Sequence, residues 1–177
     1  MNVVMKSALA SLVLMAGSAS VVHAAGAGAG TVTFKGSIIE AACSIDPASV
    51  DQTVGLGQVA KSQLADGGTA DPEDFYIKLT GCDVTSLTDK TVTTTFTGAS
   101  SAHVPGALGI VGTAKGAGIM MVDGSGTAVV LGTATQPQFL QDGSNSLAFG
   151  AYLKGQATGD ITPGDFTAVT NFSLAYQ

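Results

Sequence analysis

Apolar and polar residues alternate along much of this chain, in short runs separated by glycine, proline and polar turns. The first such run is Gly30–Gly36 (GTVTFKG), which places Val32 and Phe34 on one side and two threonines and Lys35 on the other. Because successive side chains point to opposite faces of a strand, this run predicts a half-buried β-strand. It follows five residues that are only glycine and alanine. The strand therefore has no evident partner close to it in the sequence.

The same alternation recurs toward the C-terminus. It predicts strands at Ser37–Ile45, Gln52–Val59, Phe75–Cys82, Thr91–Thr97, Gly118–Asp123, Ala128–Leu131, Ser146–Lys154 and Phe166–Tyr176. The glycines of Gly124–Gly126 predict a hairpin turn. Many short strands with turn residues between them favour an all-β antiparallel sandwich in one domain.

The first 24 residues have the layout of a secretory signal peptide. A positive charge at Lys6 precedes an apolar run from Ala8 to Gly17, and the small-residue end at Val22–Ala24 predicts cleavage after Ala24. A retained membrane anchor is the alternative, but the apolar run is well short of the roughly 20 residues that cross a bilayer. We therefore expect an exported chain that begins at Ala25.

Composition and charge narrow the class of protein. Only 11% of the residues are charged while 45% are hydrophobic, and the chain has 24 glycines. These values fit a β domain with glycine-rich turns better than a helical or a disordered chain. The formal net charge is −6 and every basic residue is lysine. Nucleic-acid binding relies on Lys and Arg that neutralise phosphates, so no nucleic-acid partner is expected.

The chain has two cysteines, Cys43 and Cys82. In an exported protein an even cysteine count predicts a disulfide. A catalytic or metal-binding pair is the alternative, but CxxC spacing is lacking and His103 is the one histidine after Ala24. A disulfide between them would close a loop of about forty residues and stabilise the fold by roughly 4 kcal/mol in the chain-entropy model.

Residue patterns typical of catalytic or metal sites are nearly absent. His103 lies in a loop-like stretch where no motif frames a nucleophile, and Gly109–Gly116 lacks the Gly-Lys-Ser/Thr ending of a phosphate loop. The densest acidic patch consists of Asp66, Asp71, Glu73 and Asp74. Its spacing does not match a calcium loop, and a solvated surface loop is the better interpretation. We expect that the protein is not an enzyme and that it binds no metal ion and no cofactor.

Several short motifs occur in order after the glycine and alanine stretch. They are Gly30–Gly36 (GTVTFKG), Glu40–Cys43 (EAAC), Val50–Val54 (VDQTV), Leu56–Val59 (LGQV), Thr162–Gly164 (TPG) and Ala175–Gln177 (AYQ). Together with a signal peptide and two cysteines, they resemble the major structural subunits of chaperone–usher pili, the type 1 fimbrial pilin family. Members of this family typically carry a glycine fourteenth from the C-terminus and a penultimate aromatic residue, which here match Gly164 and Tyr176.

The resemblance implies an incomplete immunoglobulin-like antiparallel sandwich that is completed by a donor strand from another subunit. It divides the chain into a signal peptide (1–24), an N-terminal extension that donates the strand (25–36) and a pilin domain (37–177). The matching donor residues are Gly30, Val32, Phe34 and Gly36. The positions that match groove and chaperone recognition are Gly164, Phe172, Leu174 and Tyr176.

The implied function is that of a structural pilin subunit, which polymerises by donor-strand exchange into a surface fimbria that supports adhesion. The implied partners are other copies of the chain and related pilins, a periplasmic chaperone, an outer-membrane usher and a tip adhesin. The implied route leads through the periplasm to the cell surface of a Gram-negative bacterium. Two alternatives stay open. One is a minor, adaptor or adhesive subunit of the same fimbria, and the other is a secreted immunoglobulin-like binding module whose own first strand is GTVTFKG.

Overall fold

The computed structural model describes residues 30–177. The predicted signal peptide and the first five residues of the N-terminal extension lie outside the described residues. The chain divides into two compact units between Ile38 and Ile39. No helix within residues 30–177 is long and apolar enough to cross a membrane.

The N-terminal residues of the described chain form no regular structure. Residues 30–43 are neither helix nor strand, so the strand predicted at Gly30–Gly36 does not form in the single chain. The prediction of a strand over Ser37–Ile45 is wrong except for its last two residues. Val32 is 75% exposed and Phe34 is 90% exposed. An alternating segment becomes a strand only where a partner supplies backbone hydrogen bonds and an apolar surface.

The second unit contains ten β-strands, named here in chain order. They are β1 Ser44–Ile45, β2 Glu73–Cys82, β3 Thr91–Gly98, β4 Leu108–Gly109, β5 Val111–Gly112, β6 Ala117–Asp123, β7 Gln138–Phe139, β8 Gly143–Gly155, β9 Phe166–Thr167 and β10 Thr170–Tyr176. Two four-residue helices, α1 (Pro47–Val50) and α2 (Lys61–Leu64), and a 3₁₀ turn at Ala65–Gly67 lie between β1 and β2.

Two antiparallel sheets enclose the core. The strand order is β1-β2-β8-β6-β4 in the larger sheet and β10-β3-β7 in the smaller one, and β5 pairs with β9 separately. The core between the sheets is centred on aromatic residues, with the rings of Phe96 in β3 and Phe149 in β8 packed edge to face at 5.0 Å. Both side chains are almost fully buried. The predicted all-β antiparallel sandwich is confirmed.

Most of the remaining strand predictions agree with the structure. Strands β2, β3, β6 and β8 lie where they were predicted, to within a few residues, and the last predicted strand is divided into β9 and β10. The predictions at Gln52–Val59 and Ala128–Leu131 are wrong, because neither segment is a strand. Ala128 makes only an isolated bridge to Val122. Alternation alone does not make a ladder where no neighbouring strand runs alongside.

The turn predicted at Gly124–Gly126 is present, although it leads from β6 to an isolated bridge at Ala128 and not to a second strand, and Asp123 holds it. The carboxylate of Asp123 accepts hydrogen bonds from the backbone N–H groups of Ser125 and Thr127, each at 2.9 Å, and from the Ser125 hydroxyl at 2.6 Å. Burial by itself would raise the pKa of Asp123, but these hydrogen bonds outweigh it and lower the pKa below its ordinary value. The ionised carboxylate therefore stabilises the fold.

Replacing Asp123 with alanine is expected to lower the free energy of unfolding by about 1–3 kcal/mol at pH 7. Because the folded-state pKa is lowered, this contribution is present above the unfolded-state pKa and is lost as the pH falls through that value toward the folded-state pKa. Urea unfolding at pH 7 and at pH 3 measures the difference. Asp83→Ala is the control, since Asp83 makes a similar turn with Thr85 on an exposed loop. A penalty for Asp123→Ala that does not shrink at pH 3 would contradict this account.

The predicted disulfide between Cys43 and Cys82 is confirmed. Their Cα atoms are 4.1 Å apart, and both residues are buried. The bond joins the residue just before β1 to the last residue of β2, so it fixes the point where the chain enters the sandwich.

The double replacement Cys43→Ala and Cys82→Ala is expected to lower the free energy of unfolding by roughly 4 kcal/mol, because the unfolded chain regains the entropy that the loop had lost. Urea denaturation of the oxidised protein and of the double variant measures this change. The oxidised protein treated with a thiol reductant should move to the same midpoint. An unchanged midpoint in both cases would show that the bond contributes nothing to stability.

Candidate functional site: an open groove beside the C-terminal strand

Strand β10 pairs with a neighbour on one side only. Its register with β3 sets Phe172 opposite Phe96, Leu174 opposite Thr94 and Tyr176 opposite Val92. No other strand pairs with it among the described residues. One edge of β10 therefore presents free backbone N–H and C=O groups, which is the arrangement that accepts an added strand.

The side chains of β10 alternate between the interior and the solvent, as the sequence predicts. Phe172, Leu174 and Tyr176 pack against the core but stay only half-buried, whereas the intervening residues are exposed. Phe172 lies 6.3 Å from the ring of Phe96, between ring centroids. Burial raises the pKa of the Tyr176 hydroxyl above its ordinary value. This apolar face lacks part of the cover that the rest of the core has.

A cavity of about 1180 Å³ opens beside β10. Its walls are formed by residues 50–59 on one side and residues 161–172 on the other. Its apolar lining comes from both sheets and includes Leu56, Phe75, Phe96, Ile119, Met121, Leu153, Ile161 and Phe172. A long apolar groove beside an unpaired strand edge fits an extended peptide with alternating apolar side chains.

The segment Gln52–Val59, which was predicted to be a strand, instead forms one wall of the groove. Val54, Leu56 and Val59 are half-buried and face the groove, and the residues between them are largely exposed. The alternation is thus real, but the segment forms no ladder with any strand in the part of the chain that the structure describes. No functional role was predicted for these residues from the sequence, although the LGQV motif and the alternation were both visible in it.

Gly164 lies at the edge of the same cavity, where the chain approaches the loop before β6. Asp165 N–H donates to the Thr113 hydroxyl at 3.0 Å, and Thr113 N–H donates to Asp165 O at 3.0 Å. A Cβ atom on Gly164 would come within 2.7 Å of the Ala114 backbone nitrogen. The glycine permits this close approach of two backbone segments, so its contact is with residues 113–114 rather than with the open groove.

The predicted site residues are thus brought together only in part. Gly164 and Phe172 line one cavity, and Leu174 and Tyr176 continue the same face of β10 beyond it. The predicted donor residues Gly30, Val32, Phe34 and Gly36 lie in a segment without regular structure. Within residues 30–177, no group of His, Cys, Asp or Glu side chains is arranged to hold a metal ion.

Comparison with known proteins identifies the family. The family model described as "Fimbrial protein" matches residues 32–177. The chain belongs to the fimbrial protein family. This fimbrial protein is 54% identical over 166 residues to the Fimbria A protein of Serratia marcescens, covering 93% of this chain and 94% of the relative. It is 49% identical over 167 residues to the Major MR/P fimbria protein of Proteus mirabilis (strain HI4320), covering 94% and 93% respectively.

Two solved structures share the fold of this fimbrial protein. The crystal structure of the P pilus rod subunit PapA is 35% identical with a TM-score of 0.69, covering 77% of this chain and all of that one. The structure of a chaperone–usher pilus is 35% identical with a TM-score of 0.75, covering 85% and 96% respectively. These similarities confirm the resemblance to pilins and the incomplete immunoglobulin-like fold.

Replacing Gly164 with valine is expected to lower the free energy of unfolding by about 1–3 kcal/mol, because the new side chain must push residues 113–114 away. The same displacement moves one wall of the groove, so association between copies should also weaken. Urea unfolding and the fraction of protein in multimers measure the two effects. Gly55→Ala on the opposite wall is the control, since a Cβ there meets nothing within 4 Å. A Gly164→Val variant as stable as Gly55→Ala would contradict the close packing.

Proposed function

We propose that this fimbrial protein polymerises by strand donation, with the N-terminal segment of one copy filling the groove beside β10 of another. The chain is a structural pilin subunit of a surface fimbria, as its major fimbrial relatives and the pilus structures indicate. Its partners are accordingly other copies of itself and related pilins. The family is structural rather than enzymatic.

The observation that carries the proposal is a match between an open groove and an alternating segment that pairs with no strand among the described residues. The groove offers an apolar lining and one free strand edge at β10. The N-terminal segment has alternating apolar residues, among which Val32 is 75% and Phe34 is 90% exposed. Each feature by itself would favour aggregation, and each supplies what the other lacks.

Apolar burial and backbone hydrogen bonds both favour the contact. Burial of Val32 and Phe34 contributes roughly 1.5–3 kcal/mol each. Each backbone hydrogen bond formed with β10 adds on the order of 1 kcal/mol net. The incoming strand also completes the cover over Phe172, which is half-buried in the single chain. Completion of the core and assembly are therefore one event.

The donated segment extends beyond Gly36. Ile38 is 104% exposed and lies on the same side of an extended chain as Val32 and Phe34. It belongs to the predicted strand Ser37–Ile45, of which Ser44 and Ile45 alone form a strand. Ile38 is thus a further apolar side chain for the groove of a neighbour.

The contact produces a filament because donor and acceptor surfaces are different. Each copy gives its N-terminal segment to one neighbour and receives a segment from another. Such a head-to-tail interface does not close on itself unless the rotation between copies forms a ring. An open chain of subunits is the expected assembly.

Export and assembly factors complete the proposal. The signal peptide at residues 1–24 directs the chain to the periplasm, where a chaperone occupies the groove by pairing with β10 at Phe172, Leu174 and Tyr176. An outer-membrane usher then exchanges the chaperone for the donor segment of the next subunit, and the fimbria, with its tip adhesin, reaches the cell surface. An exposed strand edge of this length needs such temporary cover, because it would otherwise aggregate.

Replacing Phe34 with aspartate is expected to abolish multimers, because it places a charge in an apolar groove. Thr33→Asp is the matched control, since it adds the same charge on the opposite side of the strand. Denaturing gel electrophoresis of unheated samples and negative-stain electron microscopy measure assembly. Deletion of Ala25–Lys35 should also leave a subunit that accepts a strand but cannot donate one. Fibres formed by Phe34→Asp, or equal loss in both aspartate variants, would contradict the proposal.

The extended donor segment has its own test. Ile38→Asp should reduce assembly as Phe34→Asp does, because both side chains enter the groove. Ser37→Asp, on the other side of the chain, should leave fibres intact. Normal fibres from Ile38→Asp would confine the donor strand to the residues before it.

A further inference from the structure

Within residues 30–177, the long strands of the two sheets have four outer edges at which another strand could add, those of β2, β3, β6 and β10, and three of them are covered. The outer edge of β6 is covered by β4 and by Val129, whose N–H donates to Met121 O at 2.9 Å. The outer edge of β3 is covered by β7 and by Thr135, whose N–H donates to Thr94 O at 2.9 Å. At both edges, backbone groups of the same chain form hydrogen bonds with the outer strand.

The third edge, that of β2, is covered differently. Near its C-terminal end, β2 pairs with β1, and Asp46 N–H donates to Lys78 O at 2.9 Å. Beyond that point no strand pairs with this outer edge of β2 within the described residues, and side chains form the hydrogen bonds instead. The Ser49 hydroxyl accepts the Lys78 N–H at 3.0 Å and lies 3.5 Å from Tyr76 O. Gln52 Nε2 lies 3.4 Å from the same oxygen.

The local sequence explains how Ser49 reaches this place. Asp46 accepts the Ala48 N–H at 2.9 Å, and Pro47 begins the single turn of α1. That turn carries Ser49 over the edge of β2, where the serine is only 3% exposed. A buried hydroxyl on a four-residue helix needs partners, and both of its partners are backbone groups of β2.

We propose that Ser49 and Gln52 cap the edge of β2, so that the subunit presents a single strand-accepting edge, that of β10. The inference rests on the proposed function, because preventing a strand from pairing with β2 matters only in a protein that assembles by strand addition. Donated segments then enter the groove and do not pair with β2. Assembly is linear rather than branched, because each subunit accepts one strand.

The test distinguishes association through the edge of β2 from insertion of a strand into the groove. The chain from Ala25 onward carries Phe34→Asp in every arm, so that it cannot donate, and an excess of a synthetic peptide of residues 30–42 fills the groove. The parent should then be monomeric by light scattering. Adding Ser49→Ala and Gln52→Ala should raise the average mass at least about twofold, because copies now pair through β2. Hydrogen exchange should show new protection within Asp74–Lys78 in the associated species, at the amides that face the outer edge and not at those paired with β8.

Two controls keep the result interpretable. Ser101→Ala removes a hydroxyl that accepts the N–H groups of His103 and Val104 in a turn away from β2, and it should stay monomeric. Ser49→Thr keeps a hydroxyl and should restore the monomer. Should the double variant fail to fold, Gln52→Ala alone is used, because Gln52 is exposed.

A double variant that stays monomeric overturns the inference, and so does association without protection at Asp74–Lys78. Association of the parent in the presence of the peptide contradicts the proposed groove instead. In that case hydrogen exchange of the Asp74–Lys78 amides is compared between the parent and the double variant. A difference between the two shows that Ser49 and Gln52 cap β2, and equal exchange shows that they do not.

Discussion

A β-strand that pairs on one side only leaves a row of backbone donors and acceptors without partners, and β10 is such a strand over its seven residues. The apolar face of the same strand stays half-buried, because no strand among residues 30–177 pairs with β10 on the side of the groove. Both deficits are removed by one extended peptide with alternating apolar side chains. The chain carries a peptide of that kind at its own N-terminus, outside both sheets. In the proposed assembly, one copy thereby completes the fold of another.

The rest of the sandwich is arranged so that this deficit is confined to one place. The aromatic contacts among Phe75, Phe96 and Phe149 give the two sheets a packed centre that does not depend on the groove. The disulfide fixes Cys43, the residue before β1, beside the last residue of β2. The remaining edges are covered by backbone, or at β2 by side chains. A stable core with one open edge is what a subunit of a linear polymer requires.

The strands that local pattern predicted well are those whose partners come from the same chain. β2, β3, β6 and β8 each run beside a long neighbour, so alternation and β-branched residues were enough to locate them. Gln52–Val59 and Gly30–Gly36 have equally clear alternation and are not strands. Neither segment pairs with a strand among residues 30–177, and a pattern states which face would be apolar but not whether a neighbour is present. The short strands β4, β5 and β7 were missed because two residues cannot show a period.

The sequence by itself determined the all-β class, the disulfide, the apolar face of the last strand and the family resemblance, because each depends on residue type and local spacing. It also marked Gly164, but not the reason for a glycine there, which is the approach of residues 113–114 to within contact of its missing side chain. Only the tertiary structure decided that Val54 and Leu56 form a groove wall, that Ser49 lies over β2, and that Ile38 stays outside its own sheet. These are relations between segments far apart in the chain, and they follow from which strand edges are covered once the sheets have formed.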